Sequence, residues 1–150
     1  GPDAEAFINH VFVRSVSALK VGRCIYNFFL YYDGGMITDG VMLRLEANRF
    51  WIVQADSELT KWYNAHAQKF DTKARDPNVW VTQVQGPNSF GVLSDVIDGD
   101  FPELWQYFGI ATVRIADDDV IILRIGFSNE LGWEFYLRPE NNAEKIGNRK

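Results

Sequence analysis

The sequence predicts an α+β fold, in which a largely antiparallel sheet carries helices packed on one face. Apolar, β-branched and aromatic runs of strand length follow one another across tight turns that bear Gly, Asp and Asn. Segments with helical spacing are interleaved among those runs. With 150 residues, 47% of them hydrophobic and 15% aromatic, the chain can bury a sizeable core, which excludes a disordered or collagen-like protein.

Each element has its own signal. Pro2 at a first helical position, followed by Ala4, Ala6, Phe7, Ile8 and Val11, reads as a short amphipathic helix. Residues 24–32 are almost wholly apolar and aromatic and read as a strand, ended by the turn Asp33-Gly34-Gly35. Residues 36–45 form the next strand, and Glu46-Ala47-Asn48 turns it into residues 49–53, so three antiparallel strands make a meander. Asp56 or Ser57 is placed to cap a helix in which Leu59, Trp62, Tyr63, Ala65 and His66 lie near helical spacing up to Phe70. Residues 79–84 make a strand, the segment 85–89 turns, and Phe90, Val92, Leu93, Val96 and Ile97 mark another helix. Pro102 and Trp105 fall in a connecting segment. Residues 110–115 and 120–125 are expected to pair across an acidic turn, Asp117-Asp118-Asp119, and residues 133–137 form the last strand. From Pro139 one more helix is expected to run to Lys150. No repeat or low-complexity linker interrupts the chain, so residues 1–150 are expected to form a single domain.

Composition narrows the function classes. A net charge of −5 and an isoelectric point near 5.0 do not suit a protein that wraps nucleic acid or lies on anionic lipid, so the expected partner is a small molecule. The single cysteine, Cys24, can form neither an internal disulfide nor a two-cysteine metal or redox site, which points to a reducing compartment. No apolar run approaches the roughly 18 residues that span a bilayer, and no export signal opens the chain, so a cytoplasmic protein with no membrane partner is expected. The phosphate-binding loop, the dinucleotide fingerprint, the nucleophile elbow and the metalloprotease helix are all missing. His10 and His66 stand far apart without metal-ligand spacing and read as structural or surface residues, and Cys24 reads as a buried, inert thiol. The triplet 117–119 fits a solvated hairpin tip better than a cation site, so no metal is expected.

Two segments resist a purely structural account. In Asp33-Gly34-Gly35-Met36-Ile37-Thr38-Asp39-Gly40, Asp39 lies beyond the turn and is not needed to make it, while Gly40 leaves room beside it. A carboxylate bonded to backbone in a strand bend explains Asp39 as well as a ligand contact does. In the segment from Arg124 to Leu137, Glu134 sits between Trp133 and Phe135 in an aromatic strand, where a charge needs a partner with two donors.

At these segments the chain resembles the folate-dependent aminomethyltransferase family, typified by the T-protein of the glycine cleavage system. The matching stretches run in order: Gly1-Pro2-Asp3-Ala4, Val16-Ser17-Ala18-Leu19 leading to Gly22-Arg23-Cys24-Ile25-Tyr26, Gly34-Gly35-Met36-Ile37-Thr38-Asp39, Gln85-Gly86-Pro87, and the segment from Gly126 to Glu134. The wording of Thr38-Asp39-Gly40-Val41 and of Phe127 through Glu134 is closer to the branch with dimethylsulfoniopropionate demethylase and aromatic O-demethylases. The resemblance implies the folate-binding core of that fold, with tetrahydrofolate as cofactor and a small-molecule methyl donor as substrate. It places Asp39 beside the reacting atoms, and Glu134 against the pterin's amino and ring N–H donors. It places Tyr26 in the folate pocket, Phe127 where glycine-cleavage members carry tyrosine, and Gln54 where they carry asparagine. Thr38 replaces the first of two adjacent family aspartates, which argues against the glycine-cleavage substrate. Full-length members extend beyond both ends of this chain, so it is expected to be their central part, with an incomplete pocket and a homodimer formed through exposed apolar surface. The alternatives are a noncatalytic folate-binding or regulatory module and an inactive fragment.

Overall fold

The computed structural model describes residues 1–55, 58–102, 105–141 and 146. The α+β class and the antiparallel pairing hold. The strands, however, divide into two sheets instead of one layer, and the chain forms two compact units, Gly1–Asp76 and Pro77–Lys150. The boundary falls in Asp71-Thr72-Lys73-Ala74-Arg75-Asp76-Pro77-Asn78, a polar stretch outside helices and strands, and each unit has its own sheet.

In the first unit, α1 (Ala4–Val11) is followed by β1 (Arg23–Leu30), β2 (Met36–Glu46) and β3 (Arg49–Gln54), then by α2 (Thr60–His66) and a 3-10 turn over Ala67–Lys69. The three strands form the expected meander, β1-β2-β3. Alternation along them sends Ile25, Phe29, Met42 and Ile52 to one face, where Phe7 and Ile8 of α1, Tyr63 of α2, and Phe12 and Val16 complete the core. Helix α1 buries Ala4, Phe7 and Ile8, one stripe at helical spacing. It starts two residues beyond Pro2, after Asp3. The Asp3 carboxylate makes no cap bond and instead accepts the N–H of Asp71 at 2.8 Å, tying the two ends of the unit together. Strand β1 ends at Leu30, before Tyr31 and Tyr32, because the register shifts between Phe29 and Leu30 and the chain closes on Gly34 at φ 89°. The expected cap residues Asp56 and Ser57 lie outside the described residues, and α2 itself begins at Thr60.

In the second unit, β4 (Trp80–Gln85), α3 (Ser89–Val96), β5 (Ile110–Ile115), β6 (Asp118–Leu123) and β7 (Gly132–Leu137) make a four-stranded antiparallel sheet in the order β4-β7-β6-β5. Trp133, Phe135 and Leu137 of β7 face a core with Leu93 of α3, Trp105, Val113, Ile115, Val120 and Ile122. The hairpin between β5 and β6 corrects the acidic turn. Ile115 pairs with Asp118, so the loop is Ala116-Asp117, both at positive φ (53° and 71°), while Asp118 and Asp119 belong to β6. Positive φ at both central positions is the two-residue hairpin geometry that matches strand twist, and it overrides the reading of an acidic run as one solvated turn. Most of the helix expected after Pro139 lies outside the described residues.

Candidate functional site

The five residues singled out by the sequence fall in two sets: Tyr26, Asp39 and Gln54 in the first unit, Phe127 and Glu134 in the second.

Tyr26 is opposite Val41 in the β1–β2 register, and Phe28 is opposite Asp39. Asp39 and Val41 share a face of β2, so the Tyr26 ring and the Asp39 carboxylate are diagonal neighbours on the face turned away from Met42 and Phe29. The Tyr26 hydroxyl donates to Asp39 Oδ2. That bond, together with partial burial and the negative charge of Asp39, raises the Tyr26 phenol above its ordinary value of 10.0. Asp39 is therefore held by a side chain of the neighbouring strand, and half-exposed beside a 43% exposed tyrosine it remains open to solvent.

Gln54 goes elsewhere. It stands opposite Gly40, and so on the other face of the sheet from Asp39. There the buried Tyr63 hydroxyl donates to Gln54 Oε1 at 2.5 Å, and burial pushes the Tyr63 phenol well above its ordinary range. Gly40 does not make room for a ligand. A Cβ there would stand 2.2 Å from the carbonyl oxygen of Val53, so the glycine admits the backbone of β3.

Glu134 lies on the face of β7 opposite Trp133 and Phe135, and it is 9% exposed. The two donors its burial demands come from this chain. Gln83, directly opposite in β4, donates to Oε1 at 2.7 Å, and the Tyr136 hydroxyl donates to Oε2 at 2.6 Å. Burial pushes the Glu134 carboxyl up, and the bonds from Tyr136 and Gln83 pull it back part of the way. Each carboxylate oxygen has lone-pair capacity for one donor more, so the group can still accept from a two-donor edge. Phe127, in the irregular segment between β6 and β7, is 96% exposed.

Sequence reading missed Gln83 and Gln85. Their only signal is position: once β4 pairs with β7, two glutamines at alternate positions must share the face of Glu134. It also missed a groove of about 380 Å³ in the second unit, walled by Phe90, Phe101, Trp105 and Trp133 and edged by Arg124. The buried Trp133 indole N–H has no hydrogen-bond partner among the described residues. No group of metal-ligating side chains occurs among them, and no helix there is long and apolar enough to cross a membrane.

The chain is thus an α+β protein with two antiparallel sheets, and each sheet presents on a strand face one carboxylate that accepts a tyrosine hydroxyl. The chain belongs to the GCVT N-terminal domain family, whose profile matches residues 1–148. It is 34% identical to a trimethylamine-oxide aldolase of Ruegeria pomeroyi, over 94% of this chain and 19% of that protein. To an aminomethyltransferase of Streptomyces coelicolor it is 30% identical, over 94% of this chain and 39% of the relative. Among solved structures, the glycine cleavage system aminomethyltransferase T of Bartonella henselae superposes with a TM-score of 0.76 at 24% identity, over 97% of this chain and 41% of that one. The chain therefore spans well under half the length of the proteins it matches.

Proposed function

We propose that residues 1–150 act as the folate-binding part of a tetrahydrofolate-dependent one-carbon transferase, with Glu134 accepting the pterin's N–H donors and Asp39 serving the transfer. The observation that carries this reading is Glu134: a nearly buried carboxylate whose position costs free energy, kept inside an aromatic strand of a family-matched segment with acceptor capacity to spare. Tetrahydrofolate supplies the ring nitrogen that takes up the one-carbon unit. The chain's own residues fit that group. The Glu134 carboxylate meets a two-donor edge with two oxygens, and Asp39 holds a protonated amine or offsets the positive charge that develops as the carbon leaves its heteroatom. The Tyr26 hydroxyl keeps that carboxylate from swinging. Phe127 offers an exposed ring to stack, and Gln54 ties the end of β3 to Tyr63 of α2. With Thr38 in place of a first acid, the donor is a methylated nitrogen, sulfur or oxygen compound rather than a glycine-cleavage intermediate, and the name of the Ruegeria relative points to an N-methyl compound. The reading goes with a cytoplasmic protein.

Calorimetric titration of the chain with tetrahydrofolate, beside the Glu134→Ala variant, tests it. Micromolar binding that the variant loses is expected. A folded wild-type chain that takes up no folate would overturn the reading in favour of a scaffold role.

A further inference from the structure

A chain of side-chain hydrogen bonds leads away from Glu134 across the face of the second sheet. Gln83 donates from Nε2 to Glu134 Oε1 at 2.7 Å. Gln85, two residues on and on the same face, donates from Nε2 to Gln83 Oε1 at 2.6 Å. Gln85 Oε1 in turn accepts the backbone N–H of Ser128 at 3.0 Å and the Ser128 hydroxyl. Each amide uses its oxygen toward one neighbour and its nitrogen toward the next, so the sequence of bonds has a direction. Flipping Gln83 would set its oxygen against a carboxylate oxygen and its nitrogen against the Gln85 amide nitrogen.

Room for this arrangement is built into the backbone. A Cβ on Gly132 would stand 2.9 Å from Gln85 Cγ, and one on Gly126 would stand 3.2 Å from Gln85 Cδ and Oε1. Two glycines that bracket the irregular segment 126–132 thus cradle one glutamine side chain, and the same segment presents Ser128 to that side chain's oxygen. Cross-strand pairing on an edge strand needs none of this. Glutamines there would be as stable pointing into water, and the two glycines weaken the segment by their own conformational freedom.

We infer that Gln83 and Gln85 are positioning residues, which orient the Glu134 carboxylate for its ligand and couple it to the conformation of the segment 126–132. The inference rests on the reading of Glu134 as the pterin acceptor. The groups around Glu134 are few: Gln83 from β4, Tyr136 from β7 and Leu123 from β6, and among the described residues no charged side chain enters its balance. Gln83 therefore supplies one of only two bonds that favour the ionised form, and Gln85 keeps it aimed.

The test is carbon NMR of the Glu134 carboxyl in the ligand-free chain as pH is varied, joined to tetrahydrofolate affinity at pH 6 and pH 8. Gln83→Leu is expected to move the Glu134 titration to higher pH and to weaken affinity by about tenfold or more, the loss being greater at pH 6, since a hydrogen bond to a charged group is gone. Gln85→Leu, which does not touch Glu134, is expected to act in the same direction by about threefold in affinity, as a bond between neutral groups would. Thr82→Ala, on the other face of β4, is expected to leave both readouts unchanged. Should Gln83→Leu fail to fold, Gln85→Leu and Ser128→Ala carry the same test from the solvent end. A folded Gln85→Leu chain whose Glu134 titrates as in wild type would overturn the inference. Shifted titrations in a chain that binds no tetrahydrofolate would support the relay and overturn the folate reading alone.

Discussion

Replacing Gly40 by alanine places a methyl group where a Cβ stands 2.2 Å from the Val53 carbonyl oxygen and 3.1 Å from its carbon. Both atoms belong to backbone, so no flexible side chain can yield, and β2 and β3 must part by about 1 Å where Gly40 pairs with Gln54. Overpacking typically costs about 1–3 kcal/mol, and a backbone-to-backbone collision belongs at about 3. Because the chain has two units, native-state amide exchange reads this better than a global melt. With about 1.4 kcal/mol for each factor of ten, amides of β2 and β3 should exchange about a hundredfold faster, while those of β5 and β6 keep their protection. Gly91, within α3, is the control. A Cβ there meets nothing within 4 Å, so Gly91→Ala should gain about 0.5–1 kcal/mol from the lost freedom of the unfolded chain. Protection of β2 and β3 within threefold of wild type in a folded Gly40→Ala chain would refute the close-approach account and return Gly40 to the ligand.

Three further outcomes follow from the same geometry. Glu134 carries a raised carboxyl, so its contribution to stability is full below the ordinary value of 4.5 and is lost as pH climbs through the raised one; Glu134→Gln should therefore gain on wild type between pH 4 and pH 8 in urea unfolding, and an equal difference at both would count against burial as the cause. If Asp39 serves transfer, Asp39→Asn in a full-length parent should lower turnover by about a hundredfold or more with folate affinity nearly kept, whereas equal loss of both would remove it from the reacting centre. A homodimer covering exposed side chains such as Tyr32, Met36 and Trp80 predicts a sedimentation coefficient that rises with concentration, and a clean monomer at high concentration would dismiss it.

Local pattern carried most of the elements. Residues 110–115 form β5 as expected, with apolar and polar residues alternating from Ala111 to Ile115, and the meander β1-β2-β3 follows from short turns that leave few ways to pair. What local pattern could not carry is partner choice. Nothing near residues 80–85 says that their neighbour is β7, and so neither the second sheet nor the glutamines that meet Glu134 were legible. Asp39 and Glu134 stood out because a carboxylate in an apolar strand is costly wherever it lies. Gln54 was marked only by the resemblance, and because a shift of one position along a strand reverses the face, its side chain meets Tyr63 on the core side. Gly126 and Gly132 were visible as members of a motif, yet their task depends on the Gln85 side chain that lies between them.

The order of strands in the second sheet has a consequence for how the protein is made. Tyr26 and Asp39 meet across 13 positions, whereas Gln83 and Glu134 meet across 51. The added loop-closure cost is only about 1 kcal/mol, but it comes with a delay, since β4 stays without its partner until β7 has left the ribosome. The meander of the first unit has every strand it needs long before that. A nascent chain arrested ahead of residue 132 would thus hold a completed first sheet and a β4 still without its partner, and it is during that interval that the polypeptide is most open to capture by chaperones or by its own copies.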